Sequence, residues 1–202
     1  MILALDTSTA ACTAALFGSD GALLARADEV IGRGHAERLV PLVAGLLDGR
    51  QPLEVLVGCG PGSFTGLRVA IAAAHGLAIG WGAALRGMNS LALLAAGAPG
   101  SGPVATAVTG GHGELFVQQF TRAPMQADGD LLNLPPSEAA AIITAPLVVG
   151  NGAPALVAAR GWGEALDLLP SAAHALRLPA TLSSLPPKPI YARAPDARPR
   201  AA

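Results

Sequence analysis

The 202-residue chain sets 13 Lys and Arg against 14 Asp and Glu, and this scattered net charge of −1 excludes the basic footprint of a protein that grips nucleic acid alone. Hydrophobic residues reach 51% but aromatics only 3%, so one large domain or two small lobes must be packed from Ala, Leu and Val, with close backbone approach in place of bulky side chains. Cys12 and Cys59 show no CxxC or Cys/His spacing, which excludes a zinc motif and reads as two buried free thiols in a reducing cytoplasm.

The first residues carry no basic segment, and their apolar run is too short for a signal peptide. Residues 2–5 form an apolar strand ending at Asp6, and Thr7, Ser8 and Thr9 make a polar turn. A strand returns over 11–17, Ser19, Asp20 and Gly21 signal a turn, and a third strand is predicted over 22–27. A helix is predicted over 34–48, where Leu39, Leu42, Val43 and Leu46 recur at helical spacing. Val40 and Leu47 widen its apolar face beyond one contact surface, and Pro41 predicts a kink or a late start. Residues 55–57 read as a buried strand, 60–66 as a loop and 67–79 as a second helix with Thr65 as its N-cap. The apolar run over 69–85, broken by His75, is shorter than a bilayer span and is divided at Gly80, Trp81 and Gly82. It reads as a buried helix followed by a strand over 83–86. Asn89 and Ser90 then cap a helix over 91–96.

The run Ala98, Pro99, Gly100, Ser101, Gly102, Pro103 is the clearest shift in composition, and it marks a boundary between lobes 1–98 and 103–202. Strands are predicted over 104–108, 114–120 and 147–149, and helices over 136–143 and 171–178. Residues 179–202 are rich in Pro and Arg and are expected to wrap the surface or fray. Strands first, then helices alternating with strands, predict an α/β fold with a mixed sheet. The order of elements is that of a ribonuclease-H-like lobe. Two such lobes, the second reduced, give the actin, Hsp70 and sugar-kinase (ASKHA) architecture, a fold analogy that carries no function by itself.

Several residues are candidates for chemistry. Gly60, Pro61, Gly62, Ser63, Phe64, Thr65 and Gly66 lie between a strand and a helix, the outline of an anion cradle. The loop lacks the Lys-Ser/Thr ending of a P-loop and is not GxGxxG, and its glycines equally suit a tight turn with close helix packing. Asp6, Thr7 and Ser8 occupy the place where ATP-using relatives of this architecture hold metal and phosphate, but the Gly of that turn is absent; a self-capping turn is the alternative. Asp6, Thr7, Ser8, Gly60, Gly62 and Ser63 therefore form a candidate vestigial nucleotide loop. Ser8, Ser63, His35, His75 and Asp6 could assemble a nucleophile set, though there is no GxSxG elbow and His35 is not half of an HExxH pair. No metal set is predicted. The second helix is rich in small residues: Ala70, Ala72, Ala73, Ala74, Gly76 and Ala78. Gly76 costs about 1 kcal/mol relative to Ala, which close approach by the chain's own sheet or by another chain's helix would offset.

The segments MILALDTS from Met1, HAERL from His35 and GPGSFTGLR from Gly60 resemble the TsaB family, also called YeaZ. The likeness continues through Gly76, Leu77 and Ala78 and through Asn89, Ser90 and Leu91. The second half is looser. Where the family has a D-A-R-x-G-E-V-Y-like strand, Gly113 and Glu114 match, while Thr109 and Gly111 stand in place of Asp and Arg. Pro189, Ile190, Tyr191, Ala192 and Arg193 resemble the family's P-x-Y-x-R ending.

The resemblance implies a cytoplasmic, non-catalytic subunit. It would dock on and activate TsaD, which transfers threonylcarbamoyl to the adenosine beside the anticodon of tRNA, and it would help recruit the ATPase TsaE. No cofactor is required by this chain itself; ATP and a metal ion belong to the partner subunits, tRNA is met only through the complex, and no membrane is involved. Docking would use the first two helices, with His35, Arg38, Leu39, Leu42, Leu46, Arg68, Ala72, His75, Gly76 and Ile79 as the partner interface. An unsatisfied docking face also allows a homodimer of the isolated chain. Two alternatives stay open: an ATP-binding enzyme of the ASKHA type acting alone, and a peptidase, a label attached to the wider family.

Overall fold

A computed structural model describes residues 1–192. The first half comprises strands β1 (Ile2–Asp6), β2 (Ala11–Phe17) and β3 (Leu23–Val30), helix α1 (His35–Leu47), strand β4 (Glu54–Gly58), helix α2 (Phe64–Trp81), strand β5 (Ala84–Met88) and helix α3 (Ser90–Ala96). The second half comprises β6 (Val104–Thr109), β7 (Leu115–Arg122), β8 (Met125–Leu134), α4 (Pro136–Ile142), β9 (Leu147–Val149), α5 (Ala153–Arg160) and β10 (Glu164–Leu166). A 3-10 helix, Ala172–Arg177, and the short α6 (Ala180–Ser183) follow.

The strands make two mixed sheets of five, in the orders β3-β2-β1-β4-β5 and β8-β7-β6-β9-β10. In each, the first strand is central, antiparallel to the second and parallel to the fourth. Alternation along the strands sends successive residues to opposite faces. Leu3 and Leu5 of β1 join Leu39, Val43, Ile71 and Ala74 beneath α1 and α2. Ala4 between them enters a second core shared with α3 and with Val104, Val108 and Phe120 of the other sheet. Ala105, Val117 and Val148 face a third core under α4 and α5. Small side chains at the centre of the layers, such as Ala4, Ala14, Ala70 and Ala74 at 0% exposed, let sheets and helices approach closely, as the low aromatic content requires.

Several details depart from the sequence expectations. α1 is not delayed by Pro41, which sits inside it on the exposed side. α2 begins a turn earlier than expected: Ser63, not Thr65, is its N-cap, accepting from the Gly66 backbone N–H at 3.2 Å. The 171–178 segment forms a 3-10 helix, anchored by Ser171 Oγ donating to Asp28 at 2.8 Å and by the Ala172 N–H donating to Thr13 Oγ1 at 2.8 Å. Past α6 the chain returns along the first sheet. Leu185 exchanges both backbone hydrogen bonds with Gly87, at 2.7 and 2.9 Å, and the Ile190 N–H donates to the Cys59 carbonyl at 2.7 Å. The rest of the Pro/Arg tail, including Arg193, lies outside the described residues.

Candidate functional site

Because β1 and β4 are parallel neighbours, their C-terminal ends bring Asp6, Thr7 and Ser8 against the 60–66 loop. Asp6 is fully buried and its carboxylate is enclosed by the chain itself. Oδ1 accepts from the Ser8 N–H at 2.7 Å and the Ser8 hydroxyl at 2.6 Å, and Oδ2 accepts from the Ser90 hydroxyl at 2.5 Å. Ser90 Oγ in turn accepts from the Gly60 N–H at 3.0 Å. Burial pushes the Asp6 carboxyl above the usual carboxylate range, opposed by the hydrogen bonds from Ser8 and Ser90.

The glycines of this region are filled as completely as the carboxylate. A Cβ on Gly58 would overlap the Asp6 side chain, one on Gly62 the Ser8 carbonyl, and one on Gly66 the Thr7 carbonyl. The Ser63 N–H donates to Ser8 O at 2.7 Å, and the Thr7 hydroxyl donates to Gly66 O at 2.7 Å. The space beside Gly62 and Gly66 holds the chain's own backbone, so these glycines serve the close packing of the turn. Asp6, Thr7, Ser8, Gly60, Gly62 and Ser63 thus meet as a packed joint that launches α2. Of the nucleophile candidates, Asp6, Ser8 and Ser63 meet in this joint, but neither histidine hydrogen-bonds to a serine there. Ser63 caps α2, His35 is buried with Nε2 3.2 Å from Ala11 O, and His75 Nε2 lies 3.4 Å from Pro187 O. No group of three His, Cys, Asp or Glu side chains suited to a metal occurs among the described residues.

α2 presents two different faces. Gly66, Leu67, Ala70, Ile71, Ala74 and Ala78 are buried on the first sheet. Arg68, Ala72, His75, Gly76 and Ile79 are exposed together on the other side. Ile79 is 81% exposed and Phe64, at the start of the helix, 54%. By length and composition alone α2 could span a bilayer, but its open stripe carries Arg68 and His75. A Cβ on Gly76 would meet nothing within 4 Å, so the chain's own sheet does not account for that glycine.

On α1 the expected interface residues divide. Leu39, Leu42 and Leu46 belong to the core under the helix, and His35 is buried at its first turn. Arg38 is at the surface, where its guanidinium pairs with Glu29, Nε to Oε2 at 2.5 Å. Val40, 51% exposed, lies on the open side. A groove of about 550 Å³ between α1 and β3 is lined by Arg26, Glu29, Arg38, Leu42 and Leu46 among others.

Tyr191, expected only as part of the P-x-Y-x-R-like ending, joins the α2 stripe. The Arg68 guanidinium lies 3.5 Å above the Phe64 ring, Arg68 Nε donates to the Tyr191 hydroxyl at 3.3 Å, and the two rings are 5.7 Å apart. In the second half, Thr109 forms a neutral pair with Asn151, which accepts from the Thr109 N–H at 3.0 Å and donates to its hydroxyl at 2.8 Å. Cys12 and Cys59 are buried free thiols, and burial pushes each up to about 11.

A family model described as TsaD, tRNA N6-adenosine threonylcarbamoyltransferase, matches residues 28–130, half of the chain. The solved structure of YeaZ from Pseudomonas aeruginosa is similar with a TM-score of 0.77 and 31% identity, over 94% of this chain and 98% of that one. The chain belongs to the TsaB (YeaZ) family. The tRNA threonylcarbamoyladenosine biosynthesis protein TsaB of Escherichia coli is 36% identical over 129 residues, which is 60% of this chain and 55% of that protein. The protein of the same name from Haemophilus influenzae is 32% identical over 135 residues, 63% of this chain and 56% of its own length. The chain therefore spans about half the length of these TsaB relatives, whereas it spans nearly all of the YeaZ structure, whose mixed α/β fold it shares.

Proposed function

We propose that this chain is the non-catalytic subunit that docks on and activates TsaD in forming threonylcarbamoyladenosine next to the anticodon of tRNA. The process comes from the names of the Escherichia coli and Haemophilus influenzae relatives. The docking role rests on one observation: the open stripe of α2, with none of the described residues within 4 Å of a Gly76 Cβ. A helix interior glycine is unfavourable by about 1 kcal/mol relative to Ala, and close approach of a partner helix offsets that. The docking face takes Arg38 and Val40 from α1 and Phe64, Arg68, Ala72, His75, Gly76 and Ile79 from α2. Isolated copies would pair through the same stripe.

The repeated strand order supports two ribonuclease-H-like lobes of the ASKHA type, joined near residues 98–103. TsaE joins the TsaD-bound chain, ATP and metal serve the partner subunits, and tRNA is held only through the complex in the cytoplasm. The filled joint at Asp6 and Gly66 favours this over an ATP-binding enzyme acting alone, and the separate engagements of Ser63 and His35 favour it over a peptidase. Reconstitution of tRNA modification from the purified subunits, with and without this chain, tests the proposal by mass spectrometry of the nucleosides. Equal yield in both reactions would refute it.

A further inference from the structure

We infer that the C-terminal strap, residues 185–191, is a working part of the docking face, with Tyr191 as the residue that positions Arg68. This rests on the docking reading above. The strap is built into the fold. A Cβ on Gly87 would sit 2.7 Å from the Pro186 carbonyl oxygen, and one on Gly60 would sit 3.3 Å from that of Ile190. Gly87 leaves room for the strap beside β5, and Gly60 leaves room first for Leu67 Cδ1 at 2.8 Å and then for the strap.

Its far end reaches the open stripe. Pro187 meets His75 and Tyr191 meets Arg68, so the strap holds both polar residues of the stripe. Phe64 and Tyr191 remain 54% and 51% exposed among the described residues, an aromatic pair with an arginine stacked on it. Tyr and Arg are the residue types that dominate interface energetics. A free arginine side chain loses rotamer freedom when a partner fixes it, and one already held loses less. α2 contains no acidic residue. The occupant that fits is a partner helix with small apolar residues along Ala72 and Gly76 and a carboxylate facing Arg68.

The experiment measures binding to purified TsaD by calorimetry for the wild-type chain and for Y191A, Y191F, R68A and R68A/Y191A, each checked by thermal melting. Y191A is expected to bind about ten-fold more weakly and Y191F about two- to three-fold, while in the R68A background the tyrosine change costs less than about two-fold. Wild-type binding with Y191A within two-fold of it would overturn this inference alone, as would an undiminished effect of Y191A in the R68A background. No binding by the wild-type chain would overturn the docking reading and this inference with it. A second variant acts without touching the stripe. Gly87→Val places a Cβ 2.6 Å from Cys59 Sγ, 2.7 Å from the Pro186 carbonyl oxygen and 3.1 Å from that of Leu185, so it displaces the strap together with the thiol beneath it and should weaken binding as Y191A does. Because Cys59 Sγ donates to the Pro186 carbonyl at 3.7 Å, the same change should speed labelling of Cys59. Faster hydrogen exchange at the Leu185 N–H, which donates to Gly87 O at 2.9 Å, with unchanged affinity would also overturn the inference.

Discussion

The Thr7 hydroxyl donates to the Gly66 carbonyl at 2.7 Å, and the Thr7 carbonyl occupies the space where a Gly66 Cβ would go. Two residues 59 positions apart are therefore interlocked, and the start of α2 is fixed to the end of β1.

This interlock separates two glycines of one helix. Gly66→Ala forces a Cβ into backbone and should destabilise the fold by about 2–3 kcal/mol. Gly76→Ala adds a methyl group to open space and should stabilise the chain by up to about 1 kcal/mol through helix propensity. Urea denaturation of both variants checks the contrast. A similar sign for the two would mean that the Gly66 joint yields easily.

The open stripe of α2 leads to a different kind of outcome. Ala72→Leu with Gly76→Leu fills the open space along the stripe without entering the core, since both positions are exposed. The melting temperature should stay within about 3 °C of wild type, as expected for surface changes away from special features, while co-elution with TsaD is lost. Retained co-elution would place the interface elsewhere. Leu42→Ala, by contrast, empties a core position and should cost about 2–5 kcal/mol.

How far these features were legible in the sequence depends on what a periodic pattern can express. The stripe at Arg68, Ala72, His75, Gly76 and Ile79 follows from helical spacing alone. The same spacing put Leu39, Leu42 and Leu46 on one face of α1, but it does not say whether that face meets a partner or the chain's own sheet; the structure places them in the core. β8 escaped notice because its ten residues include Gln126, Asp128, Gly129, Asp130 and Asn133, polar positions permitted on an edge strand. α5 has Gly152 at its N-cap with no side-chain cap, and Pro154 in its first turn is the one start signal it carries. The Asp6 joint is long-range: Ser90 reaches Asp6 across 84 positions, and no local window contains both.

Asp6 also gives the chain a pH dependence of known sign. Burial raises its folded carboxyl above the unfolded value, so the native state holds that proton more tightly than the unfolded chain does. Its ionised form is then a burden on stability above the raised pKa. That burden is relieved as pH falls through the raised pKa toward the unfolded value near 4. Asp6→Asn removes this proton while keeping the shape. The stability of wild type relative to Asp6→Asn should therefore improve on acidification from pH 8 to about 4.5. Parallel melting curves across that range would contradict a raised pKa.

The two cysteines are predicted to be inert in the native chain. Both are 0% exposed, and burial pushes their thiols up to about 11. The thiolate is the reactive species, so at pH 8 only about one molecule in a thousand carries it at either site. A disulfide-exchange reagent at pH 8 should modify neither thiol over the time in which a free cysteine reacts fully, and both should react at once in denaturant. Cys12 lies within β2 in the core under α1, whereas Cys59 lies under the strap and meets Pro186 and Val57 through its sulfur. Opening of the strap alone exposes Cys59 and leaves Cys12 covered. Slow native labelling should accordingly fall on Cys59 first, as read by peptide mass spectrometry. Equal rates at the two sites would mean that labelling requires global unfolding and that the strap does not open by itself.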